Sequence, residues 1–174
     1  MKIVRPVLLA LVLAAALWPE IPRYRAERGL RAATGALRIV ITHAAELPDP
    51  PGALERIALI ARDAAPALPG DPRPPILEGS AWFVRGDAER AAVVYRSALA
   101  LGERPETDLN LARAYERLGR ESDARAAYVR AAWISPALSS SMLPDAAAEA
   151  SAEIARLDAE LKAGRLTTPP PPPR

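Results

Sequence analysis

The side chains that could carry acid–base or metal chemistry are few in this 174-residue sequence. His43 is the single histidine, and a lone histidine on a helix is more often structural or solvated than catalytic. The carboxylates Asp87, Glu89, Glu121 and Asp123 stand at predicted helix starts, where acidic side chains stabilise the helix dipole. The absence of cysteine excludes disulfides, zinc–thiolate sites and cysteine nucleophiles. We therefore predict no catalytic residue, no metal site and no cofactor.

Phosphate-binding and nucleophile motifs are also missing from the sequence. Gly79 and Gly86 match neither nucleotide-binding fingerprint, and no serine stands in a nucleophile elbow. The 23 basic and 21 acidic residues nearly balance, so charge gives no reason to expect a nucleic-acid partner. These observations favour a non-catalytic protein, and a small envelope enzyme with an unrecognised site is the alternative from another class.

A pattern of small and aromatic residues occurs twice between Pro69 and Pro136, with 33 residues between equivalent positions. In each copy, a small residue, a tyrosine and a second small residue share one helix face at i, i+4 and i+7. The small residues let two helices approach closely, and the aromatic ring fills the space between them. The equivalent pairs are Gly79 and Ala112, Trp82 and Tyr115, Gly86 and Gly119, Ala91 and Ala124, Tyr95 and Tyr128, and Ala98 and Ala131.

This pattern resembles the tetratricopeptide repeat, a helical hairpin of about 34 residues. The resemblance implies an all-α solenoid with two good repeats over 71–138 and a capping helix within 139–164. A linking helix and a degenerate first repeat are expected over 23–70. In that copy Pro48 stands where the family has an aromatic residue, and Ala61 replaces a large one. A terminal repeat with such departures fits a capping role.

The resemblance also implies that the first helix of each hairpin lines a concave groove for a partner protein. Phe83 would anchor an extended or helical peptide, while Arg113 and Arg117 would meet its carboxylates. Alternatively, Phe83 packs against a neighbouring helix and the arginines form pairs along their own helix. The clamp of chaperone-binding members is not expected, because Leu109 stands at the place of its lysine. The predicted partner-binding residues are Ser80, Phe83, Asn110, Arg113 and Arg117.

Residues 1–22 are predicted to be a signal anchor or a signal peptide. Lys2 and Arg5 precede an uncharged apolar stretch from Pro6 to Trp18, which is shorter than the roughly 20 residues of a usual span. The open alternatives are an uncleaved anchor, a cleaved signal, and a soluble or interfacial helix. The Arg/Ala/Pro-rich composition suggests a bacterium. We therefore expect a single-pass inner-membrane protein with a periplasmic repeat domain, or a soluble periplasmic protein after cleavage.

The end of the chain is predicted from its loop and cap residues. Thr107 or Asp108 should cap the first helix of the second repeat, and Asp145 should cap the final helix. Gly164 should end that helix. The tail over 165–174 is a proline run, expected to be extended and disordered, and to act as a spacer or a docking ligand.

The predicted function is a non-catalytic protein–protein scaffold or adaptor of the bacterial cell envelope. Its expected partners are proteins of unknown identity and, through the N-terminal helix, the membrane. The alternative is a permanent accessory subunit of a larger membrane complex.

Overall fold

The chain folds into helices joined by short turns. The computed structural model describes Trp18 and residues 20–166, and these residues contain no strand, which confirms the expected all-α class. Short 3-10 helices follow three of the α-helices, at Ala44–Glu46, Ala65–Ala67 and Pro136–Ser141. The α-helices of this region are α1 (Glu20–His43), α2 (Pro50–Ala64), α3 (Arg73–Arg85), α4 (Ala88–Leu101), α5 (Pro105–Arg117), α6 (Glu121–Ile134) and α7 (Pro144–Lys162).

Packing follows the order of the chain. Each helix packs mainly against the helix before it and the helix after it. In addition, α1 contacts α3, and α3 contacts α5. The odd-numbered helices α1, α3 and α5 therefore adjoin one another, and a groove can form across them.

The recurring small and aromatic residues form the core, as the sequence predicts. Tyr95 and Tyr115 are almost completely buried, and so are Trp82 and Tyr128. A Cβ atom on Gly79 would lie 2.8 Å from two ring carbons of Tyr95, closer than real contacts allow. The glycine therefore lets the tyrosine of α4 lie directly against the backbone of α3.

Glycines end α3 and α5 in the same way, which confirms the predicted turns. Gly86 has φ +96° and Gly119 has φ +69°, in the left-handed region that favours glycine. The amide of the following residue then donates back to a carbonyl in the last helical turn: Asp87 to Trp82 at 2.9 Å, and Arg120 to Tyr115 at 2.9 Å. Both hairpins thus reverse direction through one type of helix end.

The predicted caps of α5 and α7 are wrong. Helix α5 begins at Pro105, so Thr107 and Asp108 lie inside its first turn, where both side chains are buried. Asp145 likewise lies inside α7, which begins at Pro144. Proline suits the first helical position because its missing N–H would have no partner there, and each helix therefore starts earlier than the acidic residues suggest.

The first hairpin departs from the alignment with the others. Prolines break the chain after α1 as expected, but Pro50 and Pro51 belong to the first turn of α2, which Asp49 caps by accepting from Gly52 N at 2.9 Å. Gly52 therefore lies inside a helix, whereas its aligned partner Gly86 forms a turn. The alignment of these two glycines is wrong.

The predicted single-pass location in a bacterial inner membrane is contradicted. Within Trp18 and residues 20–166, no helix combines the length and the apolar character that crossing a membrane requires. The apolar stretch behind that prediction lies outside the described residues, apart from Trp18. The proline tail from 167 onward also lies outside them.

Candidate partner-binding groove

An open groove of about 650 Å³ crosses α1, α3 and the start of α5. Aliphatic side chains from the first two helices line it, including Leu30, Leu37, Ile76 and Leu77. Three of these are buried core residues, so the same side chains that join α1 to α3 also form the apolar floor.

Arginines surround this apolar floor. Arg31 and Arg38 come from α1, Arg73 from the start of α3, and Arg104 from the turn before α5. Within the described part of the chain, Glu106 is the one carboxylate on the groove wall. The groove is therefore apolar at its base and predominantly basic at its edge.

Only one of the four groove arginines is neutralised by a neighbour. Arg73 Nη2 lies 2.5 Å from Asp71 Oδ2 and 2.6 Å from Glu27 Oε1. Its guanidinium holds the pKa of the Asp71 carboxyl below its ordinary value. Arg31, Arg38 and Arg104 form no ion pair with any described residue, so three positive charges are available to a ligand.

Two of the predicted partner-binding residues, Ser80 and Asn110, line this groove. Ser80 Oγ donates to the Ile76 carbonyl at 2.8 Å and accepts from the Tyr95 hydroxyl at 3.2 Å. Burial raises the pKa of Tyr95 to about 12, so the hydroxyl keeps its proton and its donor role. The structure thus brings Ser80 and Asn110 together, with Ser80 already bonded within the protein.

Phe83 and Arg117 line a separate cleft of about 400 Å³. Arg117 Nη1 donates to the Phe83 carbonyl at 2.8 Å, and its guanidinium carbon lies 3.8 Å from the centre of the Phe83 ring. The arginine therefore covers the aromatic ring and joins α5 to α3. That Phe83 anchors a partner stays a prediction.

Arg113 is bonded toward the C-terminal part of the chain. Its Nη2 donates to the Ser141 carbonyl at 2.6 Å, which ties α5 to the 3-10 helix before α7. Glu116, the expected partner along the helix, instead accepts from the Tyr128 hydroxyl at 2.9 Å. Leu109, expected to face the groove, is only 4% exposed and belongs to the core. The five predicted residues therefore divide among three places.

Sequence reasoning missed the basic edge of the groove, because it assigned the arginines of α1 to the approach of a membrane. The usable signal was the spacing of Arg31 and Arg38, seven residues apart and therefore on one helix face. Arg104 carries no comparable signal, since it stands in a turn whose position depends on the packing of α4 and α5.

A buried carboxylate lies on the groove-forming helix α5. Asp108 is fully buried, and neither of its oxygens has a hydrogen-bond partner among the described residues. Burial raises its pKa to about 7; the Glu103 carboxylate adds to this shift and the Arg130 guanidinium opposes it. Arg130 Nη2 is itself held by Glu103 at 2.6 Å. The carboxyl of Asp108 therefore changes charge near neutral pH.

Metal chemistry gains no support from the described residues, which contain no group of three or more histidines or carboxylates able to hold an ion. Comparison with known proteins adds no assignment. No family model, no curated protein and no solved structure matches this chain.

Proposed function

We propose that this chain is a non-catalytic, tetratricopeptide-type protein-binding scaffold whose groove along α1, α3 and α5 takes an acidic segment of a partner. The observation that carries the proposal is the set of three arginines without ion-pair partners, Arg31, Arg38 and Arg104, around an apolar floor. A carboxylate-bearing segment with interspersed aliphatic side chains matches both features.

The chemistry favours a peptide over a fully polar anion. Arginine makes charge-assisted hydrogen bonds to carboxylates, which are about twice as strong as bonds between neutral groups. Leu30, Leu37 and Ile76 offer an apolar floor that a small inorganic anion would leave uncovered. A volume of about 650 Å³ lies within the range of roughly 300–1,000 Å³ found for ligand sites, and it accommodates a few side chains at a time.

The recurring hairpins supply the reason for a groove at this place. The equivalent positions spaced 33 residues apart pack the helices in chain order, which leaves the odd-numbered helices side by side. This placement agrees with the resemblance to tetratricopeptide repeats, whose first helices line the concave surface. A scaffold needs only this surface, and the function requires no catalytic group.

The test is fluorescence anisotropy with a labelled peptide pool that alternates Asp or Glu with Leu or Ala. We expect binding that weakens as salt rises, because rim charges are screened. The double variant Arg31→Glu with Arg38→Glu should weaken binding about tenfold or more.

The matched control reverses the same number of charges on the same helix. Arg25 and Arg28 are exposed and do not line the groove, so Arg25→Glu with Arg28→Glu should leave peptide affinity within about twofold. The proposal fails if Asn/Gln versions of the peptides bind as well as the acidic ones, or if both double variants behave alike. Loss of binding in Phe83→Ala would show that the partner also reaches the second cleft.

A further inference from the structure

The first and last helices carry opposite net charge. Helix α1 has five arginines against two glutamates, a net charge of +3, and its arginines form no ion pair within the described part of the chain. Helix α7 has five carboxylates against Arg156 and Lys162, a net charge of −3. The two ends of the helix stack are thus complementary in charge.

The α1 end also exposes aliphatic side chains. Ile39 on α1 is 53% exposed, and Leu59 and Ile60 on α2 are 44% and 43% exposed. Within the described residues, α1 packs against α2 and α3 and has no helix before it. Terminal repeats of helical solenoids usually carry a polar outer face for solubility. An end with exposed isoleucines and leucine is therefore better suited to contact than to solvent.

The α7 end offers the matching surface. Helix α7 packs on α6 through buried residues such as Ala150 and Leu157. Its opposite face carries four exposed alanines at i, i+4, i+7 and i+11, where a second helix can approach closely. The acidic excess persists beside this face, because Glu153 and Glu160 share Arg156 at 2.5 Å each. The exposed alanines are Ala148, Ala152, Ala155 and Ala159.

We propose that copies of this chain associate head to tail, with the α1–α2 end of one copy packed on the exposed face of α7 in the next. The aliphatic side chains of the first end cover the alanine face, and Arg25 and Arg28 meet the carboxylates of α7. Pairing two α1 ends would instead bring like charges together. The contact uses two different surfaces, so each added copy leaves a new end, and the association is open-ended unless a ring closes.

The first measurement is sedimentation velocity of the full chain over a range of protein concentrations. At about 50 mM salt, the mean mass should rise with concentration above the 18.6 kDa of one chain. At about 500 mM salt, it should fall back toward one chain because the exposed charges are screened. A single species of one chain at every concentration and at both salt levels would overturn the proposal.

Variants then locate the two surfaces. Arg25→Glu with Arg28→Glu should abolish the concentration dependence, whereas Arg31→Glu with Arg38→Glu, on the groove side of α1, should keep it. Ala155→Arg should block the α7 face. Ala100 is an exposed alanine of α4, so Ala100→Arg is the matched control and should still associate. Association that survives both blocking variants would contradict the assignment.

Mixing the blocked variants gives the sharpest test of head-to-tail geometry. The Arg25→Glu/Arg28→Glu variant keeps an intact α7 face, and the Ala155→Arg variant keeps an intact α1–α2 end. Each should be a single chain alone, and together they should form a 1:1 pair that grows no further. A mixture that stays unassociated, or that forms larger species, would refute the proposal. Because peptide binding uses the other arginine pair, either proposal can fail without the other.

Discussion

The hairpins α3–α4 and α5–α6 are built alike, but one pair of charges is reversed between them. In the first, Asp87 and Arg90 stand at the start of α4, with Arg90 Nε 3.3 Å from Asp87 Oδ2. The equivalent positions 33 residues later are Arg120 and Asp123, with Arg120 Nη2 2.7 Å from Asp123 Oδ2. The ion pair persists while its two members have exchanged places.

The exchange preserves a second contact. Arg90 lies over the ring of Trp82, with its guanidinium carbon 4.8 Å from the ring centre. In the other hairpin, Arg120 lies over the equivalent ring of Tyr115 at 4.4 Å. Either position can thus place an arginine on the aromatic residue. The packing fixes the aromatic and small residues, whereas the polar partners need only supply one charge of each sign.

One function is not preserved by the exchange. Asp87 caps α4 by accepting from Arg90 N at 3.0 Å, whereas Arg120, at the equivalent position, offers α6 no side-chain cap. The difference teaches that the two hairpins share their core geometry but not their local stabilities. Four substitutions test this comparison.

The largest effect is expected at Asp108, which hairpin α5–α6 buries where hairpin α3–α4 has Pro75. The pKa of Asp108 is about 7 in the folded chain, above the ordinary value of 3.8. Between these values the folded state holds a proton that the unfolded state has released, so stability falls as pH rises from about 4 to about 7. Asp108→Asn should remove this slope and raise the free energy of unfolding at about pH 8 by about 2–4 kcal/mol.

Urea unfolding at about pH 4.5, 6 and 8 measures this effect. Asp108→Asn keeps the side-chain volume and removes only the charge. Equal stability differences between wild type and variant at all three pH values would show that Asp108 does not titrate in this range.

The second effect concerns the close approach of helix and tyrosine. Gly79→Ala should cost about 1–3 kcal/mol, because its Cβ would collide with the buried ring of Tyr95. The equivalent residue Ala112 already has a Cβ, so Ala112→Gly should cost only about 1 kcal/mol, mainly through helix propensity. Thermal unfolding of both variants checks the order, and a harmless Gly79→Ala would mean that α4 can shift.

The third effect concerns the cap. Asp87→Ala should cost about 1 kcal/mol, and Arg120→Ala should cost less because Arg120 caps nothing. Importing the first arrangement into the second hairpin, by Arg120→Asp with Asp123→Arg, should add about 0.5–1 kcal/mol of stability. Urea titrations at one pH compare the three variants, and a double variant less stable than wild type would refute the equivalence of the two positions.

The smallest effect is expected for the arginine over the tryptophan. Arg90→Ala should cost about 0.5 kcal/mol, since the side chain is exposed and both its ion pair and its ring contact are weak in water. Arg90→Lys keeps the charge and should recover part of the loss. The near-ultraviolet circular dichroism of Trp82 should change in the alanine variant if the arginine orders the ring.

The sequence predicted the features that depend on local geometry. Helix α4 has the predicted bounds, Ala88–Leu101, because an acidic cap precedes it and a glycine follows it. The glycine turns were predicted for the same reason. The starts of α5 and α7 were missed because proline at the first helical position outweighs an acidic residue further along.

The candidate site was less predictable, because it depends on packing between helices that are distant in sequence. Ser80 and Asn110 were placed correctly on the groove wall, since both belong to helices whose faces follow from the repeat. The contribution of α1 required knowing that it adjoins α3. The bond from Arg117 to the Phe83 carbonyl, which separates the second cleft, spans 34 residues and leaves no trace in the local pattern.

Packing in chain order has a consequence for how the molecule folds and opens. When most contacts join neighbouring helices, little chain must be organised before contacts form, and such helical proteins fold in microseconds to milliseconds. The terminal helices have a packing partner on one side only, so they should open without unfolding the middle. Amide hydrogen exchange should therefore be fastest in α1 and α7 and slowest in α3 to α5, and head-to-tail contact would slow the ends first.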